Sequence, residues 1–185
     1  MFESGVLSTS LSKTVVPLGY FYAGTVQILA GLLQFLAHDT FGCTAFCSFG
    51  AFWVSYAYFV MAIEPLLDKD DLHSAKGVFV LPWVVLSAYM TVISLRTARV
   101  LTVTFVLLTL TLFVQTVGQF ADSKGCQKAG GWIAFITSLS AGYCSCAFLF
   151  LETWKEEILP ILFHEHIPVK RRSVVRGFSL SLTPD

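Results

Sequence analysis

The residues best able to bind a metal or act as nucleophiles are four histidines and five cysteines, and their spacing supports neither role. His38, His73, His164 and His166 fall in expected loops or in the C-terminal tail. His164-Glu165-His166 lacks both the i,i+4 helical spacing and the cysteine partners of a good zinc site. Cys43, Cys47, Cys144 and Cys146 lie inside apolar runs, where a thiol behaves as a small hydrophobe, and Cys126 is placed in a loop. An odd number of cysteines cannot all pair within one chain, and no disulfide framework is expected. No Ser-His-Asp set, phosphate loop or Cys-x-x-Cys occurs. An enzyme is therefore not expected, and neither a metal nor any other cofactor is.

What remains inside the apolar runs is a set of neutral amides and hydroxyls: Gln27, Thr44, Ser48, Ser55, Ser87, Tyr89, Thr102, Thr104, Thr109, Thr111, Gln115, Thr116 and Gln119. Such groups either bond back to helix carbonyls and glue helices together, at about a kilocalorie per mole or less, or line a path and donate hydrogen bonds to a permeating anion. A small carboxylate needs donors to replace its water, whereas a fixed positive charge would trap it, so neutral N–H and O–H groups suit passage. Periodicity does not separate these roles, and for any single threonine packing is the expectation. No Asp or Glu lies within the apolar runs. Carboxylate or histidine relays are the usual equipment of proton pumps, so a proton moving here is expected to travel with the substrate or along water.

The elements that must position these groups follow from composition. The chain of 185 residues is 55% hydrophobic and only 13% charged, with mean hydropathy +0.71, far from the roughly one-quarter charged residues of soluble domains. Asp, Glu, Lys and Arg are absent from 14–38, 40–63, 77–95, 100–121 and 129–151. Runs of about 20 helical residues cross a hydrocarbon core of about 30 Å. They are too long and too continuously apolar for the alternating strands of a barrel. The expected fold is an all-α integral membrane bundle of about five helices, at 14–37, 41–63, 77–95, 100–121 and 130–151. An N-terminal segment 1–13 precedes it, and a polar, basic tail 152–185 follows. Met1 to Lys13 carries Glu3 and no basic start, so a secretory signal is not expected. Net charge is zero, and nucleic acid is not an expected partner. The bilayer is.

Short connections make sequential helices antiparallel neighbours. Lys13, Lys69, Lys76, Lys124 and Lys128 then share one side, and Arg96, Arg99, Lys155, Lys170, Arg171, Arg172 and Arg176 the other. The excess of positive charge places the C-terminus in the cytoplasm and the N-terminus outside. The Arg171-Arg172-Ser173 cluster is expected to be this topogenic signal in the first instance, ahead of a phosphorylation site or an anionic-lipid contact. Gly42 and Gly50 flank Phe46 at intervals of four, and Thr137, Ala141 and Ser145 repeat the pattern. Rows of small residues let helices approach closely in lipid.

From Phe21 to Trp53 the chain reads FYAGTVQILAGLLQFLAHDTFGCTAFCSFGAFW. This resembles the second and third helices of the acetate uptake transporter family, the succinate–acetate permease and fungal acetate-transporter group. The matching residues are Tyr22, Gly24, Gln27, Ala30-Gly31, Thr40-Phe41-Gly42, Thr44-Ala45-Phe46, Gly50 and Phe52-Trp53. Ser94-Leu95-Arg96-Thr97 and Lys128-Ala129-Gly130-Gly131 resemble later helices of eukaryotic members, and the similarity runs from about Val16 to Glu152.

The resemblance implies a hexamer in the plasma membrane whose subunits each carry a pore for acetate and similar monocarboxylates, with passage either passive or proton-linked. It places Phe49 and Leu108 at an apolar constriction where Phe49 replaces a tyrosine, with Thr44 and Ser48 nearby as donors, and Gln27, Thr44 and Ser48 are the expected substrate-path residues. Asp39 replaces an asparagine at a helix start, where either residue caps. Family members have six helices, the first carrying an Asn-Pro-x-x-Leu-Gly motif. Val16-Pro17-Leu18-Gly19 resembles that motif only superficially, and the residues after it match the second helix. A lost exon or a shortened paralogue is therefore expected. The alternative to a transporter is a non-conducting or regulatory membrane subunit.

Overall fold

The computed structural model describes residues 14–162; the basic tail with His164, His166 and Arg171-Arg172-Ser173, and Lys13 at the other end, lie outside the described residues. Five helices account for most of the chain: α1, Val16–Leu36; α2, Thr40–Leu66; α3, Lys69–Ser94; α4, Arg99–Phe120; and α5, Lys124–Trp154. All five are long and apolar enough to cross a bilayer, and no strand occurs among the described residues. The 22 residues of α4 rise about 33 Å. Large apolar side chains such as Phe21, Leu36, Val85, Val92 and Leu149 stand exposed along the helices, a surface suited to lipid or to a neighbouring subunit within the membrane. The chain is an integral, multi-pass membrane protein.

Three helices extend well beyond the charge-free runs, α2 to Leu66, α3 back to Lys69 and α5 at both ends, whereas α1 is slightly shorter than expected, Val16–Leu36 against 14–37. α3 starts at Lys69 instead of Gly77, and α5 runs from Lys124 to Trp154 instead of from Gly130 to Leu151. Charge-free runs mark only what lies in hydrocarbon, and the helices continue into the interface, where charged side chains reach water. Asp70 and Asp71 in the first turn of α3 favour the positive end of its dipole, and the Ser123 hydroxyl accepts the Cys126 N–H at 3.4 Å to start α5. Two assignments are corrected by this: His73 and Cys126 belong to helices, not loops.

Two units are distinct, Pro17–Tyr58 and the part from Phe59 onward. The first is an α1–α2 pair. After Pro17, α1 opens into a wide π-turn over Gly19–Val26, in which the Thr25 hydroxyl reaches the Tyr20 carbonyl at 3.1 Å. Regular helix resumes at Gln27. The two helices meet backbone to backbone along glycines. A Cβ on Gly31 would sit 2.8 Å from the Cys47 nitrogen, and one on Gly50 would sit 2.9 Å from both the Gly24 carbonyl oxygen and the Ile28 nitrogen. In lipid there is no hydrophobic drive to join helices, so such close dispersion contacts hold them.

In the second unit α4 is central, packing against α3 on one side and α5 on the other. The α3 face toward the unit's interior is Ser87, Met90 and Ser94, each at most 1% exposed. After α5 the chain takes a left-handed step at Lys155 (φ 59°) and returns across the helix ends. There Ile161 is fully buried with Ala98 and Ala147, the Tyr143 hydroxyl donates to the Pro160 carbonyl at 3.0 Å, and the Arg99 N–H donates to the Leu162 carbonyl at 3.1 Å.

The α1–α2 seam yields a direct test. Gly50→Ala is expected to destabilise the protein by about 1–3 kcal/mol, because the methyl meets backbone that cannot rotate away. Gly142 on α5, where an added Cβ would have nothing within 4 Å, is the control, and Gly142→Ala is expected to be neutral or slightly stabilising. Thermal unfolding of the purified protein in detergent distinguishes the two.

Candidate functional site

The sequence places five residues on or beside a substrate path, and the structure distributes them over both units. Gln27, Thr44, Ser48 and Phe49 belong to the α1–α2 pair, whereas Leu108 lies on α4 in the second unit. All five side chains are half-buried. On α2, Thr44 and Ser48 stand one turn apart on one face. Cys47, Gly50 and Val54 form the face turned to α1. At about 100° per residue, Ser48 lies roughly 160° and Phe49 roughly 100° round the helix from Gly50. On α1, Gly24, Ile28 and Gly31 make the seam, and Gln27 borders it.

Hydrogen bonding separates the three polar members. The Thr44 hydroxyl donates to the Thr40 carbonyl at 2.8 Å, so its single proton is already engaged. The Gln27 amide and the Ser48 hydroxyl have no hydrogen-bond partner among the described residues, and neither is a buried unsatisfied group. These two can donate to a solute without giving up an internal bond. Thr44 can donate only after releasing its carbonyl.

Asp39 supports this face from below. Its carboxylate accepts the Gly42 N–H at 2.9 Å, capping α2 and satisfying one of the helix's orphan donors. A side chain at position 42 would collide with that carboxylate, so Gly42 is what lets the cap close. Two residues link the end of α1 to this cap, and one of them, His38, takes a left-handed conformation (φ 59°).

Most of the other polar residues in the apolar runs serve packing. Thr91, which the sequence does not single out, joins Thr109 at 2.8 Å, and also reaches the Phe105 carbonyl at 3.0 Å and the Ser87 carbonyl at 2.8 Å. With its one proton given to a carbonyl, Thr91 must accept from Thr109. Thr102 donates to the Ser94 carbonyl at 2.7 Å, Thr104 meets Ser140 at 2.7 Å, and Thr111 meets Thr137 at 2.9 Å. Ser87 and Thr116 bond back to their own helices. The contacts of Thr91, Thr102, Thr104 and Thr111 fasten α4 to its neighbours.

Sequence reasoning also missed a polar cluster at one end of the second unit. His73 uses both ring nitrogens, Nδ1 to the Gln119 amide oxygen at 3.0 Å and Nε2 to the Asp122 carboxylate at 3.2 Å. Beside it Lys76 pairs with Glu64 at 2.9 Å. The only hint in the sequence is the i,i+3 spacing of His73 and Lys76, visible once α3 is known to start at Lys69. Among the described residues no group of three His, Cys, Asp or Glu is placed to hold a metal ion.

The profile of the GPR1/FUN34/yaaH family matches residues 1–160. The chain belongs to this family. Among GPR1/FUN34/yaaH relatives, it is 33% identical over 154 residues to the succinate-acetate/proton symporter SatP of Escherichia coli K12, covering 82% of this chain and 81% of that one. It is 31% identical over 148 residues to accumulation of dyads protein 2 of Saccharomyces cerevisiae, covering 77% of this chain but only 52% of that protein. The fold is similar to the solved structure of the bacterial acetate channel SatP, with TM-score 0.79 and 31% identity over 86% of this chain and 87% of that one. The bacterial relatives are named for transport, not for catalysis.

Two substitutions test the geometry. Asp39→Ala is expected to cost about 0.5–2 kcal/mol of stability, and Asp39→Asn much less, because asparagine also caps. A double-mutant cycle of Thr111→Val and Thr137→Val is expected to show a coupling of about 0.6–1.7 kcal/mol, read from unfolding in detergent.

Proposed function

We propose that this chain carries acetate and similar small monocarboxylates across the membrane. The observation that carries the proposal is the likeness to a solved acetate channel over most of both chains, at 31% identity. Local chemistry is consistent with it. Gln27 and Ser48 supply neutral donors without internal partners, and Thr44 supplies a third once its bond to Thr40 is released. Neutral donors replace part of an anion's hydration without holding it as a cation would. Phe49 and Leu108, each in its own unit, are apolar constriction residues on the strength of the sequence resemblance, where water is excluded.

The spanning runs 40–63, 77–95, 100–121 and 129–151 hold no carboxylate. A proton accompanying the anion therefore moves on the substrate or through water, in keeping with the proton-symporter name of the E. coli relative. The proposal includes a homo-oligomer, a hexamer by resemblance, in the plasma membrane with the C-terminus cytoplasmic. Charge asymmetry supports that orientation, with Arg96, Arg99, Lys155 and the basic tail on the inner side.

Uptake of radiolabelled acetate into proteoliposomes is the test. Uptake well above protein-free vesicles is expected. No uptake, with E. coli SatP conducting in a parallel preparation, would overturn the proposal. Gln27→Leu and Ser48→Ala are each expected to lower uptake roughly two- to tenfold, the worth of one hydrogen bond of about 0.5–1.5 kcal/mol, with unfolding temperature unchanged. Undiminished uptake in either variant would move that residue off the path.

A further inference from the structure

The start of α4 and the middle of α5 line a groove with no part in the proposed transport path. Its volume is about 210 Å3, and its walls are Arg99, Val100 and Val103 of α4, Ser140 and Tyr143 of α5, and Leu162 of the returning segment. Three hydrogen bonds build it. The Arg99 N–H to the Leu162 carbonyl (3.1 Å) fixes the rim. The Tyr143 hydroxyl to the Pro160 carbonyl (3.0 Å) turns the phenol outward and leaves the ring as wall. Thr104 against Ser140 (2.7 Å) engages the one hydroxyl on the floor. What the groove presents is therefore hydrocarbon, with one cation at its mouth.

That cation has no partner among the described residues. Arg99 is exposed, and its guanidinium has no ion pair or hydrogen bond among the described residues. No carboxylate among the described residues lines the groove. Of the nearby acids, Glu152 pairs with Lys155 at 2.9 Å and Glu157 accepts the Ile161 N–H at 2.8 Å, while Glu156 stands exposed outside the groove wall. Depth fits as well. Arg99 is the first residue of α4 and directly precedes the charge-free run 100–121, where a spanning helix enters the hydrocarbon, and Val100 and Val103 occupy the turn below it. Val103 is more than half exposed along the helix, so the groove is continuous with the lipid-facing surface.

From this we infer that the groove binds one anionic phospholipid, with its phosphodiester on Arg99 and the start of an acyl chain between Val100, Val103 and the Tyr143 ring. A planar guanidinium offers two parallel N–H donors to a phosphate. A free phosphate would leave the apolar walls unfilled. A zwitterionic headgroup would bring an ammonium to a groove whose described walls hold no carboxylate to receive it. The site is independent of whether acetate passes through the protein.

The test is native mass spectrometry of the full chain in detergent micelles doped with phosphatidylglycerol or phosphatidylcholine. One phosphatidylglycerol retained in preference to phosphatidylcholine is expected. Arg99→Gln should lower that retention roughly fivefold or more, Val103→Trp should lower it by filling the groove, and Arg96→Gln, a cation outside the groove, should leave it unchanged. Soluble glycerol phosphate should not displace the lipid. Equal retention of the two lipids, indifference to both Arg99→Gln and Val103→Trp, or displacement by glycerol phosphate would each overturn the inference. So would a Val103→Trp variant that changes subunit number while lipid retention stays constant, since a second copy of the chain would then cover the groove. Circular dichroism and the elution volume of each variant establish that loss of lipid is not loss of fold.

Discussion

Hydrocarbon offers no hydrogen bonds, and that deficit governs this protein. Every backbone N–H and C=O in the spanning runs must be satisfied by the chain itself, which leaves helices as the solution for runs of this length. The same demand extends to side chains. Threonine and serine hydroxyls bond back to their own helix, as Thr116 does to Leu112, and some also meet a partner across a helix pair, as Thr111 does with Thr137. Against this background, a half-buried amide or hydroxyl with no partner among the described residues stands out. Gln27 and Ser48 are such groups, which is why the transport proposal rests its local chemistry on them.

The two units solve the joining problem differently. The α1–α2 pair relies on glycine, with Gly31 and Gly50 allowing backbone-to-backbone approach. A side chain at either position would push the helices apart. The second unit relies on hydroxyls, with α4 fastened to α3 through Thr109 and Thr102 and to α5 through Thr104 and Thr111. Each such bond in a membrane is worth on the order of 1 kcal/mol, so several are needed, and several are present. A glycine seam leaves neighbouring polar groups such as Gln27 uncommitted, whereas a hydroxyl ladder engages its members. That difference makes the first unit the better source of donors for a solute.

At the membrane surfaces charge returns, and it organises the ends of the helices. Asp39 caps α2 through the Gly42 N–H. His73 ties α3 to the end of α4 and the turn after it, through Gln119 and Asp122. At the opposite ends of these helices the returning segment seats Ile161 between Ala98 and Ala147. Exposed ion pairs contribute little individually, about 0–1 kcal/mol. Their placement outside the apolar runs keeps the membrane interior free of fixed charge, the condition an anion path requires.

The number and type of the helices were legible in the sequence because charge exclusion from hydrocarbon is a property of composition and needs no partner. Capping by Asp39 was legible too, since a cap is a contact within four residues. The family was legible from the ordered motif between Phe21 and Trp53. Helix ends were not, because Lys69 to Lys76 and Lys124 to Lys128 look like loops by charge although they are helical. Nor was the division of the hydroxyls: Thr44, Thr104 and Thr111 each donate to a carbonyl of their own helix, and only the neighbouring helix shows that Thr104 also meets Ser140 and Thr111 also meets Thr137. Sequence determined what must lie in the membrane, because transfer free energy is local. Tertiary structure alone decided which polar groups are engaged and which stay free, because a hydrogen bond between helices depends on where the second helix lies.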